Sequence, residues 1–208
     1  MFLPRDVSSA WAWLPLGIRD TFDAAGASVA GVDGDIHFAF GDAAKGASGF
    51  RLTHRQAIAA QAVALAAGSP RLRTVTFSEV APVAMMLGSS DLLRAWVLAT
   101  LAGLATDDEH HARLRDTLLV FLQTGGSYKT TAERLTLHKN TVQYRIHKAE
   151  ESIGRPIGEN SHNVELALQA SRWLGSSVLD SARERPAAPT DTTSAADDDS
   201  HDSQSRRQ

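Results

Sequence analysis

The stretch from Ser127 to Gly154 constrains the fold more than any other part of this chain, because its apolar residues are spaced for two short helices joined by a tight turn. The first helix is predicted over Lys129 to Leu135, with Ser127 placed to cap it. The second is predicted from Lys139 to about Ser152, and Gly154 stops it. The residues predicted to pack these helices together are Ala132, Leu135, Leu137, Val142 and Ile146. This spacing is typical of a helix-turn-helix.

The second helix has one apolar face and one polar face at about 100° per residue. Its polar residues are of the types that contact DNA, since Asn and Gln bond adenine edges while Lys and Arg reach guanine edges or phosphates. The candidate DNA-binding residues are Lys139, Asn140, Thr141, Gln143, Tyr144, Arg145 and Lys148. Specificity is expected from the N-terminal half of the helix. Arg145 lies near the buried edge, so a phosphate contact, an internal salt bridge and base recognition all remain open for it.

Charge supports a nucleic-acid partner locally and opposes it globally. The whole chain carries 21 Lys and Arg against 24 Asp and Glu, a net charge of −3. Residues 127–155 carry six basic residues against three carboxylates, a local net charge of +3. A small basic surface on an acidic chain predicts salt-sensitive binding to double-stranded DNA that is assisted by a homodimer.

Two features leave room for another interpretation of this stretch. The same spacing also occurs in a helical hairpin of an ordinary α-helical domain. The residue after Leu135, where a glycine is common, is Thr136, so the turn is expected to form without a residue that readily adopts positive φ.

Residues 114–175 resemble the C-terminal DNA-binding domain of the PucR/CdaR family of bacterial regulators. The resemblance rests on TLLVFLQTGGSYKTTAERLTLHKNTVQYRIHKAEESIGRPI followed by NVELALQASRWLG. It implies a Fis-type helix-turn-helix, with Asn140, Thr141, Tyr144 and Arg145 in the motif of the recognition helix. Upstream, Asp107 or Asp108 is expected to cap a helix in which Glu109 faces Arg113, and downstream Asn163 is expected to cap the last helix.

The N-terminal half has a different pattern. Apolar and other residues alternate over 35–40, which predicts a strand, and a glycine-rich loop follows over Gly41 to Gly49. An alanine-rich helix is then predicted over Thr53 to Ala67, and a second strand over Arg73 to Phe77. The segment FAFGDAAKGASGFRLTHRQAIAAQAVA resembles the second half of the GGDEF-like domain of the same family. Because only part of such a domain is represented, Met1 is expected to begin inside one, either in a shortened homologue or in a piece of a longer reading frame.

No pattern in the chain indicates an enzyme, a cofactor or a metal site. The Gly41–Gly49 loop lacks the terminal Gly-Lys-Ser/Thr of a phosphate-binding loop, and the chain has no Gly-Gly-Asp/Glu-Glu-Phe run for cyclase chemistry. His110 and His111 are adjacent, have no cysteine or histidine partner at helical spacing, and are expected on the solvated surface. A small-molecule effector is not specified by any residue pattern.

The predicted organisation has three parts: a partial GGDEF-like α+β region over 1–104 for dimerisation and regulation, an all-α helix-turn-helix domain over 105–178, and a disordered acidic tail over 179–208. No apolar stretch predicts a membrane span, and the absence of cysteine fits a cytoplasmic protein. Two functions remain open. One is a sequence-specific, homodimeric transcription regulator, and the other is an interaction module that pairs with a full-length homologue without binding DNA.

Overall fold

The computed structural model describes residues 1–17, 36–67 and 74–181. Its helices are α1 (Gly46–Ala67), α2 (Phe77–Met86), α3 (Ser90–Leu101), α4 (Glu109–Gln123), α5 (Tyr128–Leu135), α6 (Lys139–Ile153) and α7 (Ser161–Leu174). Its strands are β1 (Phe2–Pro4), β2 (Ala10–Ala12), β3 (Phe38–Phe40), β4 (Thr74–Thr76), β5 (Thr106–Asp107) and β6 (Asp180–Ser181). Within these ranges, none of the helices is both long and apolar enough to cross a membrane.

Strands β3 and β4 pair in parallel, and helix α1 connects them along the chain and packs against both. Both strands lie within the ranges predicted for them, although Arg73 lies outside the described residues. The predicted start of the helix at Thr53 is wrong, because α1 begins at Gly46. Two glycines of this segment allow close packing: a Cβ on Gly41 would clash with the carbonyl oxygen of Thr53, and one on Gly49 would clash with Ala44.

Strands β1 and β2 form an antiparallel hairpin that lies against the start of α1. Trp13 stacks on Phe50 with 4.8 Å between ring centroids, and Trp11 meets His54 edge to face at 4.6 Å. Several large apolar side chains near this hairpin stay exposed, including Phe2 at 70%. The hairpin is therefore fixed by aromatic contacts, while much apolar surface stays in contact with solvent.

Helix α2 begins at Phe77, where the sequence pattern predicted a strand to end. The carboxylate of Glu79 accepts a hydrogen bond from the backbone N–H of Thr76 at 3.2 Å. A Thr followed three residues later by Glu is a helix-start signal, so this helix could have been predicted from the sequence.

One continuous set of buried apolar residues connects α1 to α7. Val63 of α1, Val97 of α3 and Leu118 of α4 are each 0% exposed, and Leu168 of α7 is 1% exposed. Helix α7 packs against α1, α2, α3 and α4 and so lies at the centre of the fold. The sequence predicted a domain boundary between residues 104 and 105. Buried residues from both sides of it belong to the same core, so this boundary stays a prediction.

Helix α7 begins at Ser161, so the expected cap at Asn163 is wrong. Asn163 lies inside the first turn with an exposed side chain, and the residue before the helix is Asn160. A short 3₁₀ turn over Ile157–Asn160 leads directly into α7 and places the helix start earlier than the sequence suggested.

The first residues assigned to the tail are part of the folded structure. Leu179 is 3% exposed, and β6 pairs in parallel with β5. Arg94 of α3 donates to the carbonyl oxygen of Leu179 at 3.2 Å and lies 3.7 Å from a carboxylate oxygen of Asp180. The predicted start of the tail at 179 is therefore too early. Residues 182–208, where the rest of the tail was predicted, lie outside the described residues.

Candidate nucleic-acid interface

Helix α4 supports the two helices that follow it. Asp108 caps it by accepting a 2.8 Å hydrogen bond from the backbone N–H of His111, and Glu109 pairs with Arg113 at 2.9 Å. Both contacts were predicted. The expected surface position is confirmed for His110, which is exposed, whereas His111 is half-buried with its Nδ1 2.7 Å from the second carboxylate oxygen of Asp108. Burial raises the pKa of Asp108, but the hydrogen bonds from His111 outweigh it, and the net shift is below the ordinary value.

Two glycines make the bend between α4 and α5. Gly125 and Gly126 have φ of +66° and +79°, a region that residues with a Cβ rarely adopt. The N–H of Gly126 donates to the carbonyl oxygen of Phe121 at 2.9 Å. Across the bend, the hydroxyls of Thr124 and Thr131 lie 2.8 Å apart. This hydroxyl pair sets the position of α5 against α4, and the apolar pattern gave no sign of it.

Ser127 caps α5 by accepting from the N–H of Thr130 at 3.3 Å, so the predicted cap is confirmed. At the other end of the helix, the N–H of Leu137 donates to the carbonyl oxygen of Ala132 at 2.9 Å. This is the six-to-one hydrogen bond of a Schellman motif. Thr136 occupies the left-handed position of that motif with φ of +54°. The turn therefore forms, as expected, without a residue that readily adopts positive φ, and Thr136 takes this conformation despite its β-branched side chain.

Helix α6, the predicted recognition helix, buries the face that the sequence predicted. Val142 and Ala149 are 0% exposed, and Ile146 is 2% exposed. The opposite face presents Lys139, Asn140, Gln143 and Tyr144 to solvent, while Thr141, Arg145 and Lys148 are half-buried. The four exposed side chains make no hydrogen bond or ion pair with another described residue. They are therefore available for contacts with a partner molecule.

Two of the predicted DNA-binding residues already have protein partners. Arg145 donates from Nη1 to the hydroxyl of Thr117 at 3.2 Å. Lys148 Nζ lies 2.6 Å from Glu151 Oε2, and His147 Nε2 lies 3.1 Å from Glu151 Oε1. The hydrogen bond to Glu151 raises the pKa of Lys148, and the same bond lowers the pKa of Glu151. The positive surface of α6 is thus partly neutralised by its own last turns.

The structural unit over α4 to α7 is a helix-turn-helix flanked by a supporting helix on each side. Residues 114–170 match the family model described as the PucR C-terminal helix-turn-helix domain. The match confirms the resemblance that the sequence showed over this part of the chain. It does not reach the N-terminal half.

Curated relatives match over a similar length. The chain is 36% identical over 84 residues to the purine catabolism regulatory protein of Bacillus subtilis (strain 168), which is 39% of this chain and 16% of that protein. It is 30% identical over 92 residues to the transcriptional activator PmfR of Paenarthrobacter nicotinovorans, covering 44% of this chain and 20% of that protein. An uncharacterized protein in the pkwA 5′ region of Thermomonospora curvata is 32% identical over 84 residues, with 40% of this chain and 47% of that protein covered. The matched regions thus span less than half of each of these relatives.

Proposed function

We propose that this chain is a transcriptional regulator of the PucR type that binds operator DNA sequence-specifically through α6, as a homodimer in the cytoplasm, and that it is not an enzyme. The observation that carries the proposal is the division of α6 into a buried face and an exposed face. On the exposed face, Lys139, Asn140, Gln143 and Tyr144 have no hydrogen-bond or ion-pair partner in the described part of the chain. A helix held rigidly on one side and bearing amide and cationic side chains on the other suits the major groove. The family match and the names of two relatives support the same function.

The exposed residues have separate roles in this proposal. Asn140 and Gln143 have the side-chain amides that bond adenine edges, and Lys139 reaches guanine edges or phosphates at the helix start. Tyr144 is 58% exposed and offers a hydroxyl and an apolar ring. Arg145 and Lys148 contribute less to DNA contacts than the sequence alone suggested, because Thr117 and Glu151 already engage them.

A homodimer is part of the proposal because one recognition helix with a small positive charge makes few DNA contacts. Helix-turn-helix dimers read two half-sites about one helical turn apart, and so double the contacts. The N-terminal hairpin and α1 supply apolar surface for such an association. Large apolar side chains exposed there are Met1, Phe2, Leu3, Val7, Leu14, Leu16, Phe50, Leu52, Ile58 and Leu65. We assign dimerisation to the partial GGDEF-like region over 1–104.

The same apolar surface favours a second candidate function, an interaction module that pairs with a full-length homologue. Salt separates the two functions, because phosphate contacts weaken steeply as salt rises while apolar interfaces change little. The direct test is fluorescence anisotropy of the purified chain on its own upstream DNA and on a scrambled duplex, from about 50 to 200 mM salt. Preferential, salt-sensitive binding supports the regulator. Equal or no binding on both duplexes at every salt concentration contradicts it.

Asn140→Ala tests which side chains read the sequence. The variant should lose about 1–3 kcal/mol of binding free energy on the preferred duplex and relax the preference at one base pair. Asn163→Ala is a matched control, since Asn163 is an exposed asparagine on α7 and outside the recognition helix. Equal losses for Asn140→Ala on both duplexes would exclude Asn140 from base recognition.

A further inference from the structure

A cavity of about 200 Å³ lies between α4 and α7, apart from the candidate DNA-binding residues. Leu119 and Leu168 form part of its apolar wall, and Ser171 lies beside them. The charged residues that line it are Asp107, Arg115, Asp116 and Arg172. Nothing in the helix-turn-helix function requires a cavity here, so its charges call for a separate explanation.

Arg115 is the buried charge of this cavity. Arg115 is only 7% exposed. Its Nη1 donates to the carbonyl oxygens of Leu104 at 2.9 Å and Thr106 at 2.6 Å. A guanidinium has five N–H donors, so these bonds leave the donors of Nε and Nη2. No described residue accepts a hydrogen bond from them, and neither nitrogen is completely enclosed by protein. Arg115 lines the cavity, so these donors are the ones left for a molecule bound there.

Arg115 also lacks a carboxylate partner within the described ranges. Among the described residues, no carboxylate oxygen lies within 4.0 Å of its guanidinium, and the ion pairs of the neighbouring elements involve other residues. Burial lowers the pKa of Arg115, while the more distant charges of Asp107 and Asp116 act against that shift. The edge formed by Nε and Nη2 is the one that binds a carboxylate with two parallel hydrogen bonds.

The mouth of the cavity carries both signs of charge. Asp107, Asp116 and Arg172 are exposed, and none of them forms an ion pair or side-chain hydrogen bond with another described residue. A phosphate would meet two carboxylates at this mouth, and a simple cation would meet Arg115 inside. A molecule with one carboxylate and one ammonium group complements both.

We propose that this cavity binds a small zwitterion of amino-acid size. Its carboxylate accepts hydrogen bonds from Nε and Nη2 of Arg115, and its ammonium group lies at the mouth beside Asp107 and Asp116. A cavity of about 200 Å³ lies below the roughly 300–1,000 Å³ of pockets for drug-sized ligands, so it suits a compact amino acid better than a nucleotide.

The position of the cavity connects it to the recognition helix. Asp116 precedes Thr117 on α4, and the hydroxyl of Thr117 accepts the hydrogen bond from Arg145 of α6. A ligand held by Arg115 and Asp116 acts on the turn of α4 that holds α6. We therefore assign to the zwitterion an effect on DNA affinity. This second part rests on the proposed function, whereas the binding of the zwitterion does not.

The first experiment measures binding to the full chain in the absence of DNA. The probes are glycine, β-alanine, γ-aminobutyrate and 5-aminovalerate, which differ only in the spacing of their two charges, and the readout is the NMR resonance of Arg115 Nε–H. Butyrate and butylammonium are single-charge controls. We expect at least one zwitterion to give a saturable shift with a dissociation constant of about 1 mM or lower, and neither control to do so. No saturable shift from any zwitterion, or an equal shift from butyrate, would overturn the proposal.

Two surface variants test the site without disturbing the core. Asp116→Asn should weaken the best zwitterion about tenfold, because a charged hydrogen bond is lost, and should leave the weak response to butyrate unchanged. Asp91→Asn, which makes the same change at the start of α3, should have no effect. If Asp116→Asn and the unmodified chain bind the zwitterion equally well, its ammonium group does not lie beside Asp116.

Anisotropy on the preferred duplex, with and without saturating zwitterion, tests the second part. The connection through α4 is supported if the zwitterion changes the DNA affinity of the unmodified chain but not that of Thr117→Val. An unaltered affinity despite measured zwitterion binding would overturn that connection. If the chain shows no preference for any DNA, the proposed function fails, and the NMR result still decides whether the site exists.

Discussion

Arg145 donates a 3.2 Å hydrogen bond to the hydroxyl of Thr117, a residue 28 positions earlier on α4. Thr117 is 1% exposed, and its hydroxyl donates in turn to the carbonyl oxygen of Arg113 at 2.8 Å. The side chain of Arg145 therefore joins the recognition helix to its supporting helix. The sequence left three roles open for Arg145, and its observed partner is a hydroxyl group and not the carboxylate of an internal salt bridge.

We expect Thr117→Val and Arg145→Met each to lower the free energy of unfolding by about 1 kcal/mol, because each removes the same hydrogen bond. In a double-mutant cycle by urea denaturation, the double variant should lose less than the sum of the single losses. The salt dependence of DNA binding should be the same for Arg145→Met as for the unmodified chain. Additive losses would show that the two side chains do not stabilise each other, and a salt slope reduced by about one contact would place Arg145 on a phosphate.

Glu151→Gln is expected to strengthen DNA binding. Glu151 engages both Lys148, at 2.6 Å, and His147, at 3.1 Å, so its removal frees positive charge on α6. The plot of log affinity against log salt should steepen by about 0.9 if Lys148 gains one phosphate contact. Glu109→Gln is the control, because it also breaks an ion pair at i,i+4 but on α4. An equal gain in both variants would reflect net charge alone.

Thr136→Gly is expected to stabilise the protein. Thr136 adopts φ of +54°, where a β-branched residue is strained and a glycine is not. Relief of that strain, less the entropy cost of glycine, should raise the free energy of unfolding by roughly 0.5–1 kcal/mol. Gly154→Ala makes the opposite change at φ of +79°, where nothing lies near the added Cβ, and should lower it by roughly 1 kcal/mol. Denaturation curves that show a loss for Thr136→Gly would contradict the role of strain.

Asp108→Ala should cost about 1 kcal/mol at neutral pH, since it removes the cap of α4. The pKa of Asp108 is lowered in the folded state, so its contribution is complete above the unfolded pKa and is lost as the pH falls through the folded value. The difference in unfolding free energy between the variant and the unmodified chain should therefore shrink from about pH 5 to about pH 2. A difference that is constant over this range would show that the carboxylate charge does not stabilise the helix.

The candidate site was predictable where neighbouring residues decide the structure. A period of 3.6 residues placed Val142 and Ile146 on the buried face, and Ser127 and Asp108 cap helices as expected. The pairing of Lys148 with Glu151 is also local, at i,i+3, and could have been predicted from spacing. Which polar residues of α6 face solvent followed from the same periodicity.

By itself, the sequence determined the helices of the C-terminal region, the caps of α4 and α5 and the polarity of α6, because these depend on residues within one or two turns. Only the tertiary structure decided that Arg145 bonds Thr117, that β6 pairs with β5, and that Arg115 lines a cavity between α4 and α7. These contacts join residues far apart in the chain. Their formation depends on how the helices pack, whereas the left-handed conformation of Thr136 belongs to the local hydrogen-bond pattern that ends α5.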